Sequence, residues 1–529
     1  MKNILLTLFT VFTILGSASA QVVVVSGDIT SNTTWENNKI YVLNGFVYVT
    51  NNATLTIQPG TVIKGDQASK GSLIVTRGAK IIADGTASQP IVFTSDQPVG
   101  SRSYGDWGGL IILGKAPVNE PGGVKLIEGG IDPLKGLYGG TDAADNSGIL
   151  RYVRVEFPGI AFQPNNEING ITFGGVGSGT VIDYVQVSYS GDDAFEWFGG
   201  TTNAKHLIAY RAWDDDFDTD FGFAGKIQFG IVLRDSLIAD VSGSNGFESD
   251  NDANGSTNTP ITSPVFSNIT IVGPMINSGT QISNDYKRAL HFRRNTRTSV
   301  YNSVFTGYPT GLKIDGTATG TNVTNNDLRF KNNIIAGSAT PLDSTGLSFG
   351  MAAWFAANQN VVLPNSTDVN MTNPYHYTNP DFRPNAGSPL LSNASFTDSK
   401  LSDPFFTQVS YRGAFDNTDW TTGWANFNPQ NTQYFAVGID EISNVGVVKL
   451  FPNPASDKAV IEVVLTDRTL LNITIMDLQG RIAQEVVNAE YPKGSFTIDL
   501  DTGALPSGVY LARIATDGGS KTIKLLISK

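Results

Sequence analysis

The chain of 529 residues has no cysteine, and that absence removes several chemistries at once. Disulfides, thiolate metal sites, cysteine nucleophiles and a lipid-modified N-terminal cysteine are all excluded. Histidine is scarce: His206, His291 and His376 are the full set, too few and too scattered for a multi-histidine metal site. Charged residues make up 16 %, with a formal net charge of −12. That balance argues against nucleic acid as a partner, because phosphate recognition needs a basic surface. No Walker loop or nucleophile elbow appears. "FGGVGSG" (173–179) is glycine-rich but lies between strand-like runs, and reads as a turn.

Long apolar runs are also lacking after the first twenty residues. "MKNILLTLFTVFTILGSASA" has Lys2, an apolar run from Ile4 to Leu15, and Ala18-Ser19-Ala20. This order predicts a secretory signal over residues 1–20, with the exported chain starting near Gln21. The run is too short to span a bilayer comfortably.

What the sequence does have is glycine (56 residues) and short alternating apolar runs. "IYVLNGFVYVTNNATLTIQPGTVIKG" is echoed by "GSLIVTRGAKIIADGTASQPIVFTS", with Gly60 and Gly78 at corresponding turns. A repeat near twenty residues, cut at every corner, predicts an all-β solenoid in preference to a sandwich. "LSFGMAAWFAAN" (347–358) predicts a short helix closing the solenoid. After residue 447 the pattern changes to longer alternating strands divided by Pro-Asn-Pro, Gln479-Gly480 and Pro506-Ser507-Gly508, which predicts a small antiparallel sandwich.

The acidic residues are concentrated. "GDDAFEWFGG", "AWDDDFDTDFG" and "SNGFESDNDANG" align on Phe195, Phe217 and Phe247, at intervals of 22 and 30 residues. If these rings stack inward, alternation turns Glu196, Asp218 and Glu248 outward. Asp214, Asp216, Asp218 and Asp220 share one parity. Neighbouring coils lie about 4.8 Å apart, where two unit charges at an effective dielectric near 20 repel by roughly 3.5 kcal/mol. A hard cation, a basic neighbour, raised pKa values or a splayed, solvated arrangement must offset that. Carboxylates with Asn and carbonyl oxygen suit calcium. Glu196, Asp216, Asp218, Asp220, Glu248 and Asp250 are therefore candidate calcium ligands, though a solvated acidic face or a hydrogen-bond network serves the same residues.

The following rung is basic. With Phe292 continuing the inward stack, His291 and Arg293 face outward, and one coil later Lys313 does too. The outward row then reads Glu196, Asp218, Glu248, Arg293, Lys313. It either closes the acids with salt bridges or forms a groove for an acidic glycan.

The phrases "LTIQPGTVIKG", "YGDWGGLIILGKAPVN", "GDDAFEWFGG" and "AWDDDFDTDFGFAGK" resemble exported right-handed parallel β-helix proteins of Bacteroidota, from about residue 27 to 430. "LFPNPASDKAVIEVVL", "MDLQGRIAQEVV" and "LPSGVYLARI" resemble the C-terminal sorting domain of type IX secretion cargo. After the signal peptide (1–20), the resemblance implies a right-handed parallel β-helix with its cap (21–435), a linker (436–446) and a small β-sandwich sorting domain (447–529). It also implies the type IX machinery as a partner, and export to the cell surface or medium.

Two functions compete. The first is a glycan-binding, adhesive or structural surface protein, with Trp107, Trp197, Trp213, Trp354, Trp420 and Trp424 available to stack on sugars. The second is a calcium-assisted polysaccharide lyase, with Arg293 or Lys313 as base and His291 in reserve, or a glycoside hydrolase using carboxylates such as Asp215 and Asp218. The first is the expectation. No organic cofactor is expected, and nothing in the sequence names the ligand.

Overall fold

The computed structural model describes residues 21–163, 166–434, 445–477, 480–516 and 519–529. The expected signal peptide and most of the expected linker lie outside them. The chain divides into two compact units, Val22–Ala436 and a unit containing Val437–Lys529.

In the first unit 26 strands form one ladder, and every described pairing in it is parallel. Each strand pairs with the equivalent strand one coil before and one coil after, so the chain winds as a solenoid. The register produces continuous inward columns. One reads Val47, Leu73, Leu110, Ile171, Phe195, Phe217, Phe247, Leu290, Leu312, Leu342. All but the last are fully buried. Repeating large apolar side chains at one height fills the interior, and that is why this alternation winds rather than lying flat.

Corners are built by a second column. Tyr152, Tyr184, His206, Phe229, Asn268, Asn302 and Asn332 are one coil apart, and all hold positive φ between 49° and 63°. Their rings stack: Tyr152–Tyr184 at 4.5 Å, Tyr184–His206 at 4.2 Å and His206–Phe229 at 5.3 Å. The later asparagines tolerate the left-handed conformation through their short polar side chains.

The final coils are closed by helices Thr317–Thr324 and Met351–Ala357, the second within the segment expected to be helical. Phe355 packs on Phe330 at 5.9 Å. From there the chain returns along the corner columns as a strap. Asn332 Nδ2 donates to Asn393 O at 3.3 Å, and Asn302 Nδ2 donates to Ser395 O at 3.1 Å. Further on, Asn268 Nδ2 donates to Tyr411 O at 2.9 Å, and Gln186 Nε2 donates to Asn426 O at 2.8 Å. Trp420 rests on His206, and the hydroxyl of Tyr434 donates to Glu156 at 2.6 Å. Arg102 donates to Pro429 O and Thr432 O, so the strap ends beside early coils.

The second unit has antiparallel sheets of three and four strands. Ile461, Val463, Ile473, Ile475, Leu500, Ile514 and Leu525 form its core.

Candidate functional site: an acidic recess on the solenoid face

Next to the inward column runs its outward neighbour. It reads Tyr48, Ile74, Ile111, Thr172, Glu196, Asp218, Glu248, His291, Lys313, Asp343. The row is apolar, then acidic, then basic, and closes on Asp343. Its apolar part is covered by the excursion between Leu113 and Gly148: Val118, Ile127, Ile131 and Tyr138 pack with Ile74, Ile111 and Phe198. The same excursion brings Glu128 to the acidic part, where Asn169 Nδ2 donates to both Glu196 and Glu128.

The expected register holds for Phe195, Phe217 and Phe247, and hence for Glu196, Asp218 and Glu248. The fourth rung is shifted by two. Leu290, not Phe292, lies opposite Phe247, and Phe292 lies opposite Ser249. His291 therefore occupies the row where Arg293 was expected. Arg293 reaches it from the side, pairing with Glu248 and, at 2.9 Å, with Asp250. Lys313 is in the row, but its ammonium bonds Asp343 at 3.0 Å.

Asp216 is a second correction. The strand begins at Phe217, so its alternation does not extend back to Asp216. That side chain turns inward, fully buried, and accepts from Arg234 Nη1 at 2.9 Å. Arg234 also donates to Asp214 O at 2.6 Å. Burial opposes the charge on Arg234, but Asp216, Tyr286 and Tyr308 hold the guanidinium above its usual range. This internal pair fixes the turn from which Asp214 and Asp215 emerge.

Sequence reasoning missed a further acidic column. Asp193 Oδ1 accepts from the backbone N–H of Asp215 at 2.7 Å, and Asp215 Oδ1 accepts from that of Asn245. Each side chain caps the next coil. Asp two residues before Phe195 and Phe217, with Asn245 at the same offset from Phe247, was the available signal. Among the described residues, three groups bring carboxylate oxygens within 4.8 Å of one another: Asp192, Asp193 and Asp214; Asp193, Glu196 and Asp218; Asp215, Asp218 and Glu248. Of the expected ligands, Glu196, Asp218 and Glu248 are in these groups, and Asp216, Asp220 and Asp250 are not.

Burial is the first cause of the electrostatics here. It pushes Asp193, Glu196, Asp215 and Asp218 well above the ordinary carboxylate range, and neighbouring acids push further. Burial and Asp250 raise Asp220 to about 8. Glu248 is the exception: burial opposes its charge, but His291, Arg293 and Arg294 hold it below the usual range. So the basic rung neutralises Glu248 and Asp250, and leaves the rest. Asp218 has no hydrogen-bond or ion-pair partner among the described residues. Asn245, 1 % exposed, donates through Nδ2 to Asp215 and Glu248, while its Oδ1 has no partner.

Of the tryptophans named for sugar stacking, Trp107, Trp197 and Trp424 are core. Trp213, beside Asp214, is 37 % exposed and rests edge-on against Tyr104. The neighbouring loop adds exposed Leu237 and Val241.

A parallel solenoid with this face has a match among known families. Residues 27–371, well over half of the chain, match the pectate-lyase-like β-helix domain. The chain belongs to that family. Residues 449–528 match the secretion-system C-terminal sorting domain. This is therefore an exported β-helix protein, handled by the type IX machinery and delivered to the cell surface or extracellular space. No curated protein matches the chain. Among solved structures, Dettilon tailspike protein is similar at 10 % identity and a TM-score of 0.24, over 58 % of this chain and 61 % of that one. The chain thus spans about three-fifths of the tailspike's length. Among the described residues no helix is long and apolar enough to cross a membrane.

Proposed function

We propose that this is a surface-displayed glycan-binding or adhesive β-helix whose acidic recess takes calcium and, through the ion, an acidic polysaccharide. One observation carries the reading: Asp215, Asp218 and Glu248 converge within 4.8 Å, and Asp218 at the centre has no countercharge bonded to it. Calcium takes six to eight oxygen ligands in flexible geometry. The three carboxylates and Asn245 Oδ1 are oxygen donors of that kind. An ion held on one side by protein oxygens offers its open side to a sugar carboxylate. Trp213 beside Asp214 supplies an exposed ring for stacking.

The lyase or hydrolase reading draws on the family and on the same recess. Fold alone does not fix chemistry. Each expected base is already engaged: Arg293 by Glu248 and Asp250, and Lys313 by Asp343. His291 lies between Glu248 at 3.5 Å and Asp315 at 3.3 Å. This favours binding over turnover.

Calorimetry of calcium on the full chain is the test, beside Asp218→Asn and Glu248→Gln, followed by acidic polysaccharides with and without the ion. Saturable binding lost in both variants is expected. No heat, and no effect of a chelator on melting, would overturn the proposal. Unsaturated products released from pectate-type polymers would replace it with the lyase reading.

A further inference from the structure

Away from the acidic recess, a cavity of about 350 Å³ opens at the turns of the first coils. It is lined by Asp28, Thr30, Thr50, Asn51, Arg77 and Lys135, with Thr76, Leu134 and Leu137 completing the wall. Its volume is at the low end of ligand sites, which run from about 300 to 1,000 Å³.

The charges in it are unlike those of the chain. Asp28 is already paired with Lys135 at 2.7 Å. Arg77 bonds Gly139 O at 3.0 Å and has no carboxylate partner among the described residues. Lys115 stands over the adjacent turn, its Nζ 3.0 Å from where a Cβ on Gly78 would lie, and it too has no carboxylate partner among the described residues. A protein of net charge −12 thus keeps a locally cationic cavity.

The remaining lining is hydroxyl and amide. The side chains of Thr30, Thr50 and Asn51 make no hydrogen bond among the described residues. The hydroxyl of Thr76 donates to Val49 O at 2.8 Å and keeps its lone pairs free. Leu134, 89 % exposed at the rim, offers an apolar edge. An unpaired guanidinium recognises an oxyanion in bidentate fashion. Convergent hydroxyl and amide groups recognise a polyol, and an apolar rim packs against the C–H face of a sugar ring.

The geometry points to a second binding site at Arg77, for a single carboxylated sugar residue. The recess described above plays no part in it.

The test is titration of the full chain with glucuronate in the presence of a chelator, which keeps the calcium recess silent. Glucose serves as the neutral control and inorganic sulfate as the bare oxyanion. Saturable glucuronate binding at about 1 mM is expected from a ligand this small, with glucose about tenfold weaker or more. Arg77→Gln should weaken glucuronate at least about tenfold. Leu134→Asp, which adds a repelling charge at an exposed rim position, should weaken it as well. Melting curves of both variants confirm that they fold. Glucuronate binding no tighter than glucose, or unaffected by Arg77→Gln, would overturn the site. Sulfate binding as tightly as glucuronate would overturn its assignment to a sugar acid.

Discussion

Replacing Asp218 by Asn should change stability in opposite directions with and without calcium. Asp218 shares two carboxylate groups, one with Asp193 and Glu196 and one with Asp215 and Glu248. At 4.8 Å, the distance within which the oxygens of each group lie, a fully ionised pair at an effective dielectric near 20 costs roughly 3.5 kcal/mol. Carboxyl groups pushed above their ordinary range relieve part of this by taking up protons, so the relief on removing the central charge is smaller, on the order of 1–3 kcal/mol. Without calcium the variant should therefore melt above the unchanged protein at neutral pH. With calcium the order should reverse. A bound ion at one hundred times its Kd stabilises by about 2.7 kcal/mol, and the variant forfeits most of that. Differential scanning calorimetry of the two proteins, each with calcium and with EDTA, reads all four states. A variant that melts below the unchanged protein in EDTA, with calcium moving neither, would refute the electrostatic reasoning as well as the ion.

Other outcomes follow from the same geometry. In EDTA, stability should fall as pH rises from about 4 to about 8. Burial keeps a proton on Asp214 to about 6, on Glu128 to about 7 and on Asp220 to about 8, while the unfolded chain releases them near 4. The folded state binds more protons across that window, so the loss is complete above it. Calcium should flatten this slope in melting curves. Asp216→Ala strands the buried Arg234 charge and should cost about 3–5 kcal/mol in chemical denaturation. Its damage should spread to calcium affinity, because Arg234 also holds the carbonyl of Asp214. Gly148→Ala should prevent proper winding: at φ +120° its Cβ would meet Ile81 O at 1.8 Å, and limited proteolysis would report the opened coil. Gln186→Ala removes both bonds to Asn426, each 2.8 Å, and should loosen the segment near Trp424 to hydrogen exchange.

The solenoid was legible because its coils repeat a pattern that a reader can align. Phe195, Phe217 and Phe247 are identical side chains at one height, and identity revealed the register. The fourth rung failed for the same reason. The inward position accepts any large apolar side chain, and Leu290 fills it while Phe292 fills the next inward position. Alternation alone cannot separate the two, since they share parity. Asp216 was misplaced because alternation was carried past the start of a four-residue strand, into a turn where parity has no meaning. The partners of the acids were beyond sequence reach. Glu128 and Asn169 come from excursions of the chain, and Arg234 acts from inside the core. Such meetings depend on tertiary placement and leave no spacing to count.

The returning strap changes how a solenoid should come apart. A stack in which each coil touches only its neighbours can fray from either end, losing one coil at a time. Here residues from Asn393 to Tyr434 bridge coils far apart in the winding, from Asn332 back to Glu156 and Arg102. The end of the β-helix unit is thus bonded to coils near its beginning. Loosening these coils requires undocking this clasp, so unfolding of the β-helix becomes a concerted event rather than a sequential peeling, and a one-dimensional stack of coils acquires all-or-none character.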